Sequence, residues 1–282
     1  MAIGSSASAD LEKGEAMNRL AVTLFLATAL ACSVILLIRA GSSVEAAGFT
    51  VNDCSDVADQ TPGDGICATA GGVCTLRAAL QEANANGATA DTITFSLACT
   101  ITLTTELPNL STGNTTIAGA DQTVTIDGAD SSMVWDCLEV SSDGNTIRGL
   151  VIQRCRGTAI YVTGAGNTIG GASAAERNVI RDSWDGVELA GSGAHDNHVI
   201  GNYIGVDATG SVAAGNDDGV VIRYGACNNV IEANVISGSS GAGVEIEGSA
   251  TSGNRVIGNY IGTNGAGDEA LPNQQEGVWV WN

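Results

Sequence analysis

From Asp91 onward the chain consists of short segments in which apolar and polar residues alternate. The clearest are TITF (92–95), TITLT (100–104), TVTID (123–127), CLEV (137–140) and NTIRGLVI (145–152). Gly, Asn, Asp and Ser separate these segments, and helical spacing of apolar residues is absent from them. Alternation at every second position predicts short β-strands joined by tight turns.

The strands belong to a longer repeat. Residues 197–205 read NHVIGNYIG, and residues 254–262, which lie 57 positions later, read NRVIGNYIG. Strands aligned on a glycine or its equivalent begin at residues 137, 159, 186, 219, 243 and 277. Their spacings are 22, 27, 33, 24 and 34, so the 57-residue repeat spans two units. A unit of this length with three short strands fits a parallel β-helix, whereas the signature of leucine-rich repeats is absent.

Coils stacked about 4.8 Å apart would place equivalent residues in columns. Two apolar columns are predicted to point inward: Val187, Val220, Val244 and Val278, and Leu189, Ile222, Ile246 and Val280. Two groups of asparagines are predicted at turns, with amides stacked from coil to coil: Asn197, Asn228 and Asn254, and Asn202, Asn234 and Asn259. These asparagines therefore predict turn structure rather than ligand binding.

Residues 47–90 have a different composition and predict a cap for the first coil. The segment 49–74 is rich in turn residues, and TLRAALQEANANG (75–87) follows it. Leu76, Ala79, Leu80 and Ala83 fall on one face of a short helix, with Thr75 as N-cap and Gly87 as its end. Such a helix can cover strand edges that would otherwise be exposed.

The N-terminus predicts export. The segment 20–38 is apolar and uncharged, with Lys13 before it and Arg39 after it. Residues 1–46 therefore predict a signal peptide cleaved after Ala46, with translation starting at Met1 or Met17. The alternative is an uncleaved signal anchor, in which residues 20–38 are the only membrane contact. Both alternatives place the remainder outside the cytoplasm, secreted or at the cell surface.

Seven cysteines lie downstream of residue 46, so at least one lacks an intramolecular partner. The spacing predicts a disulfide between Cys67 and Cys74, and we expect a second between Cys54 and Cys99. Two histidines and no CxxC pair argue against a zinc site. We predict no cofactor and assign no metal site.

The formal net charge is −20, with 8 Arg against 27 Asp and Glu downstream of residue 46. Such a surface repels nucleic acid and anionic membranes, which excludes both as partners of the exported part. Ca²⁺ is the cation for which an acidic surface is suited.

The segments GDGIC, GGVCTLRAALQEANANG and DTITF resemble the CSLREA-type module that precedes β-helices in exported bacterial proteins. NTIGG, AAERNVI and NxVIGNYIG resemble right-handed parallel β-helix repeats of the pectin-lyase-like superfamily. The resemblance covers residues 49–282. It implies an all-β, right-handed parallel β-helix over 91–282, with three short strands per coil and a short N-terminal capping helix within a 47–90 module. Because the chain stops at GVWVWN, within a strand, we expect further coils or another chain to cover that end.

The resemblance leaves the function open, because this fold hosts lyases, glycosidases and adhesins. Carboxylates and aromatic residues recur on the outward columns, a combination that suits binding of polysaccharide or a cell-surface glycan. The candidates are Trp135, Tyr161, Trp184, Glu188, Glu245 and Trp279. We therefore expect a non-enzymatic glycan-binding, surface-binding or structural module of the adhesin type.

The enzymatic alternative is a glycoside hydrolase or a polysaccharide lyase. SWDGVEL (183–189) and NDDGVVI (216–222) resemble the aspartate-bearing strands of polygalacturonase-type glycosidases, which makes Asp185, Asp217 and Asp218 the catalytic candidates. The His-Gly and Arg-x-Lys strands of that family have no counterpart, since no lysine follows Lys13. A lyase would need an arginine with a lowered pKa as base.

Overall fold

The computed structural model of the chain describes residues 46–87, 89–119, 123–129 and 131–282. Residues 1–45, which hold the apolar segment 20–38 and all but the last residue of the predicted signal peptide, lie outside the described residues. The described strands form three sheets in which every neighbouring pair is parallel. From Thr116 onward each coil contributes one strand to each sheet in turn, so the chain forms the predicted right-handed parallel β-helix with three short strands per coil.

The strand bounds follow the alternating segments of the sequence. Sheet 1 contains Gly48–Val51, Thr92–Phe95, Thr116–Ala118, Thr146–Arg148, Thr168–Gly170, His198–Ile200, Val230–Glu232 and Arg255–Ile257. Sheet 2 contains Cys99–Thr102, Val124–Asp127, Leu150–Gln153, Val179–Arg181, Tyr203–Ile204, Val235–Ile236 and Tyr260–Ile261. Sheet 3 contains Leu138–Val140, Thr158–Val162, Asp185–Ala190, Asp218–Arg223, Val244–Glu247 and Val278–Trp281.

The strand register confirms the alignment of both predicted apolar columns, although Val278 and Val280 on the last coil are exposed. Val187, Val220, Val244 and Val278 are paired in succession, and so are Leu189, Ile222, Ile246 and Val280. Val187, Val220 and Val244 are fully buried, as their inward direction requires. Burial of such columns along the axis supplies the main stabilisation of the coil.

The predicted stacking of asparagine amides occurs as two ladders inside the turns. In each ladder the side-chain carbonyl of one asparagine accepts from the backbone N–H and the side-chain amide of the asparagine one coil earlier, at 2.8–3.2 Å. The first ladder is Asn145, Asn167, Asn197, Asn229 and Asn254, and the second is Asn178, Asn202, Asn234 and Asn259.

The prediction that Asn228 belongs to the first stack of amides was wrong. Asn229, which is fully buried, occupies the ladder, whereas its neighbour Asn228 is exposed. Asn228 instead adopts the left-handed conformation, with φ of 56°. The residue before each member of the first ladder has a positive φ, between 56° and 72°. The turn therefore needs two residues in order, one that tolerates positive φ and one buried amide.

The capping helix spans Leu76–Ala85, and its four predicted apolar residues are fully buried. The side chain of Thr75 accepts a hydrogen bond from the N–H of Ala78, which confirms it as the N-cap. The Glu82 carboxylate, 1% exposed, accepts from the N–H groups of Gly63 and Gly65 at 2.7 and 2.8 Å. These contacts tie the turn-rich segment to the helix.

Three disulfides pair six of the seven described cysteines. Two join the pairs named from sequence, Cys67 with Cys74 and Cys54 with Cys99. The third, between Cys137 and Cys155, was not predicted. Cys227 is the one described cysteine without a disulfide partner, as the odd number of cysteines required.

Candidate functional site: the tryptophan column of sheet 3

Six of the described residues form a column immediately before the strands of sheet 3. Within it, the carbonyl oxygen of each residue accepts a hydrogen bond from the backbone N–H of the next, at 2.6–3.1 Å. The column is Trp135, Gly157, Trp184, Asp217, Gly241 and Gln275. Trp135 and Trp184 therefore lie two coils apart, a separation of about 10 Å along the axis.

Both tryptophans of this column face solvent, with 55% of Trp135 and 61% of Trp184 exposed. Gly157, between them, lies close under the first indole: a Cβ at this position would approach the Trp135 ring to 2.4 Å. The absence of a side chain at Gly157 therefore makes room for the Trp135 ring, which packs against this position. Exposed tryptophans in such an arrangement are typical of a binding surface rather than of chance exposure.

A cleft of about 550 Å³ lies beside Trp184. Its lining includes the side chains of Arg156, Asp182, Ser183, Asp217 and Ser240. The guanidinium carbon of Arg156 lies 5.4 Å from the centre of the Trp135 ring, so Arg156 borders both the cleft and the first tryptophan. The cleft therefore offers hydrogen-bonding groups of both charges next to an aromatic surface.

Carboxylates follow four of the six column residues at the next position: Asp136, Asp185, Asp218 and Glu276. Asp185 is paired with Thr158 on one side and with Asp218 on the other. Burial, together with the negative charges of Glu188 and Asp218, raises the pKa of Asp185 to about 7. Burial likewise raises the pKa of Asp136 to about 6, against the hydrogen bond it accepts from the Thr158 N–H at 2.7 Å. The pKa of Asp218 is also raised, chiefly by burial.

Asp185 is enclosed by its neighbours. The residue is 4% exposed, and no described residue hydrogen-bonds to its buried Oδ1 atom. A buried carboxylate without partners is costly, which is why the proton is retained to near-neutral pH. Its enclosure also keeps this carboxyl out of reach of a ligand on the surface.

The remaining predicted glycan-binding residues are not equivalent. Glu188 is 3% exposed, forms an ion pair with Arg223 at 2.7 Å and accepts from Thr158, so it is engaged inside the protein. Tyr161 is half-buried. At the last coil, Glu245 accepts a hydrogen bond from Trp281, and the Trp281 ring stacks on Trp279. The structure thus brings Trp135, Trp184 and Asp217 together on one surface and leaves Trp279 three coils from Trp184.

Sequence reasoning missed two contributors to this surface. Neither Arg156 nor Gly157 was among the predicted glycan-binding residues. The signal for both was their place beside the tryptophan column, since a glycine between two tryptophans is conspicuous once the coils are aligned.

One protein family matches most of the chain. A family model described as periplasmic copper-binding protein (NosD) matches residues 84–282. The chain belongs to the NosD family. It is accordingly an exported β-helix protein that resides outside the cytoplasm. Neither a curated protein nor a solved structure gives a significant match to the chain. Within the described ranges, no helix has the length and apolar character that crossing a bilayer requires.

The description of the NosD family names copper, so a copper site in this chain would need side chains that copper prefers. Copper is bound by thiolate, thioether and imidazole groups in proteins. Outside the disulfides, the described residues offer Cys227, Met133, His195 and His198, and the two histidines pair with Asp196 and Glu232. No three His, Cys, Asp or Glu side chains of the described part are grouped to hold a metal ion, so its residues fit neither copper nor Ca²⁺.

Proposed function

We propose that this NosD-family protein is a non-enzymatic glycan-binding module, and that the glycan lies along the tryptophan column of sheet 3. The observation that carries the proposal is the pair of exposed indoles, Trp135 and Trp184, held two coils apart with Gly157 between them. Flat sugar rings stack on indole faces, and the hydroxyl groups around each ring need hydrogen-bonding partners. Arg156, Asp217 and Ser240 supply such partners beside the indoles.

The spacing of the two indoles also suits an extended polymer. Two coils separate them by about 10 Å. An extended β-1,4-linked glycan advances per ring by nearly the spacing of one coil, so alternate rings of such a chain would meet Trp135 and Trp184. A glycan placed in this way runs parallel to the axis of the β-helix.

The experiment is a titration of the full chain with a panel of hexasaccharides. The panel consists of β-1,4-linked glucose, N-acetylglucosamine, glucosamine and glucuronate, with oligogalacturonate and oligomannuronate added. We expect Trp184→Ala to lower the affinity for the best ligand about 30-fold, the loss of a binding tryptophan worth about 2 kcal/mol. Trp279→Ala is the matched control, because Trp279 is 38% exposed on the same sheet but lies away from the column. Its affinity should stay within about twofold of wild type.

Two results would contradict the proposal. One is that no member of the panel binds the full chain. The other is that Trp279→Ala weakens binding as much as Trp184→Ala does, which would move the site to the last coil. The fold of each variant is checked by its circular dichroism and its melting temperature.

Glycoside hydrolysis is the second candidate, because one observation favours it. Asp185, with a pKa of about 7, is paired in register with Asp218, and a protonated acid beside a second carboxylate is what acid–base hydrolysis needs. The enclosure of Asp185 weighs against it, because the proton must reach a substrate oxygen. Release of new reducing ends in the same panel, abolished by Asp218→Asn, would establish hydrolysis over binding alone.

A lyase mechanism is less favoured on this surface. Burial alone would lower the pKa of Arg223, but the hydrogen bond and charge of Glu188 hold that pKa above its ordinary value. A base needs the opposite shift. Arg223 therefore serves to neutralise Glu188.

A further inference from the structure

We infer that the glycan held by the tryptophan column is uncharged or carries amino groups, and that polyuronates are excluded. This inference rests on the proposed function and names the ligand class of the same site. It departs from the resemblance to pectin-degrading enzymes, which favours an acidic polymer. It is carried by the charges that surround the two indoles.

Carboxylates accompany both tryptophans. Asp136 follows Trp135 in the chain, and the Glu106 carboxylate, which is exposed, accepts a hydrogen bond from the Trp135 N–H at 3.2 Å. Asp217 follows Trp184 in the column, where its carboxylate accepts from the Ser240 hydroxyl at 2.7 Å. A ligand that reaches from one indole to the other therefore meets negative charge at both ends.

The positive charges of this region do not balance them. Arg223 is engaged with Glu188, Arg181 with Asp182, and Arg154 with Asp127. Arg156 lines the cleft and lies over Trp135, and it is the cation placed to meet a ligand there. One guanidinium cannot neutralise a polymer that carries a carboxylate on every ring.

The range of the repulsion covers the whole site. Charges on a protein surface act over about 8–10 Å at moderate ionic strength, which is the separation of the two tryptophans. Each uronate ring on the column would lie within that distance of Asp136 or Asp217. An ammonium group on the ring reverses the sign of the same interaction, and a neutral ring avoids it. Complementary charge of this kind sets specificity rather than bulk affinity.

The test compares the four β-1,4-linked hexasaccharides of the panel, which share a backbone and differ in charge. At low salt and a pH between 6 and 7, where Asp136 is largely ionised, we expect the affinity of the full chain to fall in the order glucosamine, then the two neutral sugars, then glucuronate. The affinities for the glucosamine and glucuronate hexasaccharides should differ by at least about tenfold. High salt should reduce that difference in affinity. Asp217→Asn should narrow it as well. Glu232→Gln, which makes the same change of net charge on sheet 1, should leave it unchanged.

The outcomes separate this inference from the proposed function. Tightest binding of glucuronate, lost in Trp184→Ala, would overturn the inference and leave glycan binding intact. A glucosamine preference that survives in Trp184→Ala would overturn it too, because the amine would then be attracted by the net charge of −20 without a site. Absence of binding to every hexasaccharide would remove the proposed function itself.

Discussion

Asn229→Ala is expected to lower the free energy of unfolding by about 3–5 kcal/mol, the largest effect of any single turn substitution that we predict. The Asn229 side chain accepts from the backbone N–H and amide of Asn197 and donates to the Ala194 carbonyl and to Asn254, all within 3.0 Å. Alanine would remove all four hydrogen bonds, each worth about 0.5–1.5 kcal/mol, and would leave the buried N–H of Asn197 without an acceptor. Each unpaired buried group costs about 1–3 kcal/mol, reduced where water can enter.

The adjacent residue supplies the control for this prediction. Asn228→Gly removes an exposed amide at a positive φ that glycine adopts without strain, so the unfolding free energy should change by less than about 0.5 kcal/mol. Urea unfolding followed by circular dichroism measures both variants. Equal losses for the two, or no loss for Asn229→Ala, would show that the ladder does not stabilise the coils.

Asp185→Asn is expected to stabilise the protein at alkaline pH and to change little at acidic pH. The folded-state pKa of about 7 lies above the ordinary value of 3.8, so the folded protein holds a proton that the unfolded chain has released. The contribution of Asp185 is therefore fully favourable below about pH 4 and is lost as the pH rises through 7. Because asparagine stays neutral, the variant should gain on the order of 2–4 kcal/mol at pH 8.

Asp207→Asn is the control for the general effect of removing a negative charge, because the pKa of Asp207 is lowered whereas that of Asp185 is raised. Burial is the largest single influence on Asp207 and would raise its pKa, but hydrogen bonds from Thr209, Val212 and Ser211 together hold that pKa below the ordinary value. Asp207→Asn should therefore be less stable than wild type at neutral pH, with the difference shrinking as the pH falls. Melting temperatures of the three proteins between pH 4 and pH 8 measure both signs. A pH-independent gain for Asp185→Asn would mean that Asp185 is not buried in its protonated form.

Much of the fold could be predicted because equivalent residues of stacked coils are neighbours in space. Aligning GVEL, GVVI and GVEI therefore amounts to reading the strand register, and the pairing of Val187, Val220 and Val244 confirmed it. The helix 76–85 was predictable for a similar reason, since its apolar residues and Thr75 cap are local signals. That residues 47–90 form a CSLREA-type module stays a prediction. So does the assignment of the coils to the pectin-lyase-like superfamily.

The features that sequence could not resolve depend on side-chain surroundings. Consecutive asparagines at 228 and 229 are interchangeable in a repeat alignment, and only the backbone conformation separates them. The partner of Cys137 lies 18 residues away with no marker of pairing, since an odd count of cysteines says only that one is left over. The engagement of Glu188 inside the protein depends on Arg223, one coil further along. To identify a site on such columns, one must therefore know how buried each side chain is. The strand register alone does not give that information.

The most direct test of the account is a crystal structure of the full chain with the glucosamine hexasaccharide. The account predicts sugar rings stacked on Trp135 and Trp184, with the polymer parallel to the helix axis. Glycan density over Trp279 and Trp281 instead, or a ligand that bypasses Trp184, would contradict it.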